Sequence, residues 1–225
     1  MTSDAPIVYV VDDDPAVRDS TKWLLESTRY VTRTYENAKQ FLDDYNCETP
    51  GCLLLDVRMP GMSGLELQSH MAASNISLPI IMITGHADVP MAVRALKQGA
   101  FDFLQKPFDD ELLISLVHRA MDRDERRQQA QRQTDDIRRR LTRLTSRENE
   151  VFQMVVDGKS NKEMAAHLQL STKTIEVHRA NVMTKMQADS VAKLVQLHAS
   201  LDSSNHPELC TTRSQNRGSY ISMDD

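Results

Sequence analysis

Three consecutive carboxylates, Asp12, Asp13 and Asp14, follow an apolar run, and a fourth, Asp56, closes another. A hydroxyl, Thr84, and an ammonium, Lys106, close two more such runs. Brought together, these groups would have one evident use. Two carboxylates about 4 Å apart repel by about 4 kcal/mol at an effective dielectric of about 20, so a cluster of them needs a cation or a raised pKa. An all-oxygen set of carboxylates and a carbonyl suits Mg²⁺, or Mn²⁺ in its place, which keeps several waters and engages phosphate oxygens. Lys106 would add a fixed positive charge and Thr84 a hydroxyl donor. That combination is built to hold or transfer a phosphoryl group.

The residues around this set predict the elements that would position it. Apolar runs at Ile7–Val11, Val31–Tyr35, Cys52–Leu55, Ile80–Thr84 and Phe101–Gln105 read as strands. The third and fourth are nearly continuous, as expected for parallel strands covered on both faces. Helix-compatible stretches lie between them, at Pro15–Ser27, Asn37–Tyr45, Ser63–Ser74 and Val89–Gln98. The alternation predicts an α/β domain with a five-stranded, parallel, doubly wound sheet. In such a sheet ligands bind beyond the C-terminal strand ends, and that is where Asp12, Asp56, Thr84 and Lys106 fall.

Charge divides the chain. The 225 residues carry a net charge of −5, but residues 1–122 carry −8 and residues 123–145 carry +4. Residues 146–201 are close to neutral. An acidic block, a basic connector and a balanced block predict two domains with different tasks. No apolar run approaches the roughly 18 residues of a membrane span, and Met1 to Pro6 do not have the pattern of a secretory signal. Cys47, Cys52 and Cys210 lack metal-ligand spacing and read as thiols in a reducing cytoplasm.

The segments carrying Asp12-Asp13-Asp14, Asp56 to Gly64, Ile83 to His86 and Phe103 to Phe108 resemble the receiver domain of two-component response regulators. The fold this implies is flavodoxin-like, with residues 1–121 as the receiver. The resemblance implies that Asp56 accepts phosphate from a sensor histidine kinase. It implies that Asp13, Asp56 and the Arg58 backbone carbonyl bind the metal, with Asp12 assisting. Thr84 and Lys106 would hold phosphoryl oxygens, Phe103 would be the switch aromatic, and Lys106-Pro107 resembles the family's cis peptide. The protein would not be a turnover enzyme, beyond slow autodephosphorylation. Haloacid-dehalogenase-type phosphatases also use an aspartate and Mg²⁺, but they need an acid where this chain has Arg58. Arg58 and His86 border the site and are expected to tune water access.

No Gly or Pro interrupts residues 109–157, which permits long helices. Leu112, Leu113, Leu116, Val117 and Ala120 have the spacing of a last receiver helix, whereas residues 122–136 contain only Ala130 as an apolar residue. Residues 122–143 therefore read as a solvated helical linker or hinge. A continuous helix of about 30 residues would span about 45 Å. Ile137, Leu141 and Leu144 restore an apolar stripe that suits packing onto the next domain better than a coiled coil.

Residues 144–201 carry capping boxes at Thr145/Glu148 and Ser160/Glu163 and a good N-cap at Ser171. A short helix, Asn161–Leu168, then a longer one to about Met186, make a helix-turn-helix candidate. With Ile175, Val182 and Met186 inward, the opposite face shows Lys173, Val177, Ala180 and Thr184, flanked by Glu176 and Asn181. Exposed Val and Ala suit thymine methyls in a major groove. This block resembles the LuxR/NarL-type helix-turn-helix, and Ser171 to Met183 is similar to its FixJ branch. The resemblance implies groove contacts from Glu176, Val177 and Ala180, and phosphate contacts from Lys173, Thr174, Arg179 and Lys185. A near-neutral block binds weakly as one copy, so a dimer on DNA is expected. Residues 202–225 read as a disordered tail.

The combined expectation is a bacterial cytoplasmic response regulator. Phosphorylation of Asp56 drives homodimerisation through the face of helix 89–98 and strand 101–105, with Val93 and Lys97 exposed there. The dimer then binds double-stranded promoter DNA, with RNA polymerase as a further partner and activation as the expected sense. The competing expectations are an adaptor whose helices bind protein, and a constitutive DNA binder that has lost phosphorylation.

Overall fold

The computed structural model describes residues 5–47, 49–85 and 89–202, which form two compact units divided between Arg126 and Arg127. In the first unit the strands are β1 (Ile7–Val11), β2 (Val31–Tyr35), β3 (Gly51–Asp56), β4 (Ile80–Thr84) and β5 (Asp102–Gln105). They form one parallel sheet in the order β2-β1-β3-β4-β5. Helices α1 (Pro15–Ser27), α2 (Ala38–Asp44), α3 (Gly64–Ala73), α4 (Val89–Lys97) and α5 (Asp110–Leu141) alternate with them.

Every residue of β1, β3 and β4 is buried, because helices cover both faces of the sheet. Tyr9, Leu53, Leu55 and Met82 pack with Phe41, Leu67, Met71 and Ala95 of α2, α3 and α4. Val8, Val10, Leu54, Ile81 and Ile83 pack with Leu25 of α1 and Leu113, Leu116 and Val117 of α5. The strand order reverses direction between β1 and β3, so Asp12 and Asp56 flank the crevice where such sheets bind ligands.

Element limits differ from the sequence reading by a residue or so. β3 starts at Gly51 and β5 at Asp102. Asn37 and Ser63 lie outside their helices as N-caps, accepting from the Gln40 and Glu66 N–H groups. Asp14 does the same for α1, accepting from the Ala16 N–H, and Pro15 follows it at the first helical position. Gly64 lets α3 begin hard against the end of β3: a Cβ there would stand 2.2 Å from the Asp56 carbonyl oxygen. Trp23, the single tryptophan, projects from α1 with 74 % of its surface exposed.

The connector forms the continuous helix that the sequence permits but is less solvated than expected. α5 is one unbroken helix of 32 residues that takes in both the receiver's last helix and most of the linker. Asp124, in the stretch read as solvated, is fully buried and accepts a hydrogen bond from the Gly51 N–H at 3.0 Å. The physical reason is that a buried backbone donor at a strand start must find an acceptor.

The second unit contains α6 (Ser146–Val156), α7 (Asn161–Leu168), α8 (Thr172–Met186) and α9 (Val191–Asp202). Both expected capping boxes form, and Ser171 caps α8. Gln169 makes the turn between α7 and α8 in the left-handed region, at φ 55°. Val151, Phe152, Met164, Ile175, Val182 and Met186 form the core. Ile137 is buried in it, with Leu141 and Leu144 packed alongside, so the apolar stripe ending α5 serves this unit. α9 reaches Asp202, one residue into the expected tail. The rest of that tail, together with His86, lies outside the described residues.

Candidate functional site

Four side chains drawn from three strand ends converge at the C-terminal edge of the sheet. Asp12, Asp13 and Asp56 place carboxylate oxygens within 4.8 Å of one another. Asp12 and Asp56 are buried, whereas Asp13 faces solvent. Lys106 bridges the two buried acids, donating to Asp12 Oδ2 at 2.5 Å and to Asp56 Oδ2 at 3.0 Å. Backbone donors take the other oxygens: Asp14 N–H binds Asp12 Oδ1 at 3.0 Å, and Arg58 N–H binds Asp56 Oδ1 at 3.1 Å.

Charge is balanced tightly here. Burial pushes the Asp12 carboxyl above the usual carboxylate range, against the opposing pull of Lys106. Burial would by itself lower the Lys106 ammonium, but hydrogen bonds to Asp12 and Asp56 outweigh it and hold the group above the ordinary lysine value. An ammonium can neutralise one of these charges, and an all-oxygen cluster of this size fits a small divalent cation for the remainder. The Lys106-Pro107 peptide is cis.

Thr84 is fully buried at the end of β4, next to β3 in the sheet. Phe103 pairs in register with Met82 and is half-buried against the same cluster. The side chain of Arg58 is exposed. Arg18 was missed in the sequence. Its guanidinium donates to the Asp12 backbone carbonyl at 2.6 Å and so braces the acidic loop. The available signal was its place one helical turn after Asp14.

The second site is the outer face of α8. Lys173, Glu176, Val177, Ala180, Asn181 and Thr184 are exposed, and Ile175, Val182 and Met186 are buried, as the helical spacing required. Val177 is 55 % exposed. The other expected phosphate contacts have partners within the unit. The Thr174 and Ser171 hydroxyls lie 2.7 Å apart, and Arg179 donates to Asn161 Oδ1. Lys185 is paired with Glu148 Oε2 at 2.6 Å. The Glu148 carboxylate also accepts from the Thr145 N–H, and the two interactions, Lys185 first, hold it down at about 2.

Residues 8–118 match the response regulator receiver domain family, and residues 142–198 match the luxR family of bacterial regulatory proteins. The chain belongs to the two-component response regulators. FixJ, a transcriptional regulatory protein of Bradyrhizobium diazoefficiens, is 44 % identical over 190 residues, covering 84 % of this regulator and 93 % of FixJ. TdiR of Thauera aromatica is 40 % identical over 210 residues, covering 93 % and 91 % respectively. Among solved structures, the response regulator StyR aligns with a TM-score of 0.81 at 41 % identity, over 87 % of this chain and 98 % of that one. Full-length FixJ from B. japonicum aligns at 0.53 and 42 % identity, over 89 % and 98 %. This response regulator thus joins a CheY-like receiver to a LuxR-type DNA-binding helix-turn-helix. Together the two domains imply a kinase partner and DNA. Among the described residues no helix is long and apolar enough to cross a membrane.

Proposed function

We propose that Asp56 is the phosphoacceptor of a two-component relay and that its phosphorylation drives dimerisation and promoter binding. The observation that carries this reading is the buried Asp56 carboxylate, held at 3.0 Å by Lys106 beside two further carboxylates. In the transfer, an Asp56 oxygen attacks the phosphorus of the kinase's phosphohistidine. The O–P bond forms as the N–P bond breaks, and the departing imidazole keeps that electron pair and gains a proton from solvent. Asp13, Asp56 and the Arg58 carbonyl would hold Mg²⁺ or Mn²⁺, with Asp12 assisting. When bound, the cation offsets the negative charge that gathers between acceptor and phosphoryl oxygens.

The dianionic product recruits Lys106 and the Thr84 hydroxyl. Movement of Thr84 makes room for Phe103 to turn inward, which reshapes the surface of α4 and β5. That surface is the dimer face: Val89, Val93 and Leu96 are 77 %, 43 % and 45 % exposed on α4, an apolar display that a second copy would cover. Passing from 1 % to 99 % active takes about 5.5 kcal/mol, which phosphate and dimerisation share. Residues 1–121 then act as the switch, 122–143 as the connection and 144–201 as the reader.

On DNA, Glu176, Val177 and Ala180 face base edges and Lys173 meets phosphate. Arg179 and Lys185 add phosphate contacts through donors their internal partners leave over, since a guanidinium has five and an ammonium three, and Thr174 adds one when its single hydroxyl proton turns from Ser171 to phosphate. Transcription is activated through RNA polymerase, and slow autodephosphorylation resets the switch. The test uses labelled acetyl phosphate with Mg²⁺, followed by sedimentation. The wild type should acquire one hydroxylamine-labile phosphoryl group and dimerise, and Asp56→Asn should do neither. Equal labelling of the variant refutes the assignment.

A further inference from the structure

We propose that Arg140 is a positioning residue for DNA reading, holding the C-terminal end of α8 by its final carbonyl. The proposal rests on the reading that α8 meets DNA. Arg140 stands on α5, two residues before the luxR-family match begins at residue 142. One guanidinium nitrogen, Nη1, donates to the Met186 carbonyl at 3.1 Å. The other, Nη2, pairs with Asp136 one turn back on α5. Its side chain is 21 % exposed, whereas its neighbours Arg138 and Arg139 are 48 % and 73 % exposed, Arg138 pairing with Asp135 and Arg139 reaching the same Asp136 only at 4.0 Å.

The contact meets a specific need of the helix. The last carbonyls of a helix lack intrahelical donors and carry its partial negative charge. The left-handed cap at Gln187 sends its N–H to the carbonyls of Met183 and Thr184, and Arg140 serves the carbonyl of Met186. Asp136 fixes the plane of the guanidinium, and buried Ile137 fixes the helix turn that carries it. A second tie, Lys185 to Glu148, holds the same end of α8 from α6. Loss of Arg140 therefore leaves the unit folded but lets the outer face of α8, Lys173 to Thr184, shift against the groove. The arginine acts through placement and touches no nucleotide.

The test uses the full-length chain, activated with acetyl phosphate, and the duplex that the wild type enriches from a random-sequence pool. Affinity is measured across salt concentrations for Arg140→Ala, Arg140→Lys and Lys173→Ala, with thermal unfolding followed in parallel by circular dichroism. Arg140→Ala should weaken binding by about tenfold with the salt slope unchanged. Arg140→Lys should recover part of that loss, because an ammonium still donates hydrogen bonds but cannot grip the carbonyl and Asp136 as a planar fork. Lys173→Ala should instead lower the salt slope by about 1.

A salt slope lowered by about 1 in Arg140→Ala makes Arg140 a phosphate contact and overturns the positioning role. So does an affinity loss that merely tracks the unfolded fraction. Unchanged affinity in Arg140→Ala, with Lys173→Ala impaired, removes the proposal and leaves α8 as the reader. If neither variant changes binding, or the wild type enriches no sequence, the α8 reading itself falls.

Discussion

The acidic pocket and the outer face of α8 solve opposite problems. The pocket gathers residues as distant in sequence as Asp12 and Lys106 into a buried cluster where each charge depends on the others. The face of α8 is a single stretch of chain whose exposed side chains are mostly uncharged, with two of its cations engaged inward by Asn161 and Glu148. A pocket of interdependent charges can act as a switch, because one added group changes all the balances. A surface of independent contacts can act as a reader, because each position can be altered without disturbing the next.

Breaking the charge balance should give the largest effects. Lys106→Met should abolish phosphorylation-dependent dimerisation. It should also destabilise the receiver by about 3 kcal/mol, since it strands two buried carboxylates. Saturating Mg²⁺ should restore most of that stability, because the cation binds only the folded pocket. Urea unfolding with and without Mg²⁺ checks both statements, and a variant as stable as wild type without metal would dissolve the contrast with α8.

Gly64→Ala should cost about 2 to 3 kcal/mol in the same assay, because the new methyl meets the Asp56 carbonyl. The reader has one comparable charge dependence. The Glu148 carboxyl is held at about 2 in the folded chain, below its ordinary 4.5. A depressed carboxylate stabilises above its ordinary value and loses that contribution as the pH falls from about 4.5 toward about 2. Unfolding of the second unit should grow easier across that interval, and Glu148→Gln should flatten the dependence while lowering stability near neutrality. The smallest effect belongs to Val177→Ala, which should change stability by less than about 0.5 kcal/mol. The same substitution should alter which bases a random pool enriches, and a large loss of stability would show that Val177 belongs to the core.

The sheet was legible because covered parallel strands write themselves as apolar runs, and the runs at Ile7–Val11 and Ile80–Thr84 coincide with β1 and β4. The inward and outward faces of α8 followed from helical spacing once Ile175 was set inward. Spacing and resemblance together brought Asp12, Asp56 and Lys106 to one edge. Local pattern failed where a polar residue serves a distant backbone group. Asp124 and Arg140 sit in charge-rich stretches that look solvated, and nothing in their neighbours points to Gly51 or Met186. Their roles depend on which backbone donors and acceptors the fold leaves without a ladder partner, and that is decided only when the elements meet.

Trp23 has a consequence for the optics of these experiments. With its indole largely in water, its emission should change little between the native and unfolded chain. Fluorescence would then follow denaturation poorly in either half of the molecule, which favours a backbone probe. The same fluorophore is placed to change colour when another macromolecule settles on α1, so the chain carries an intrinsic dye for that helix and for no other.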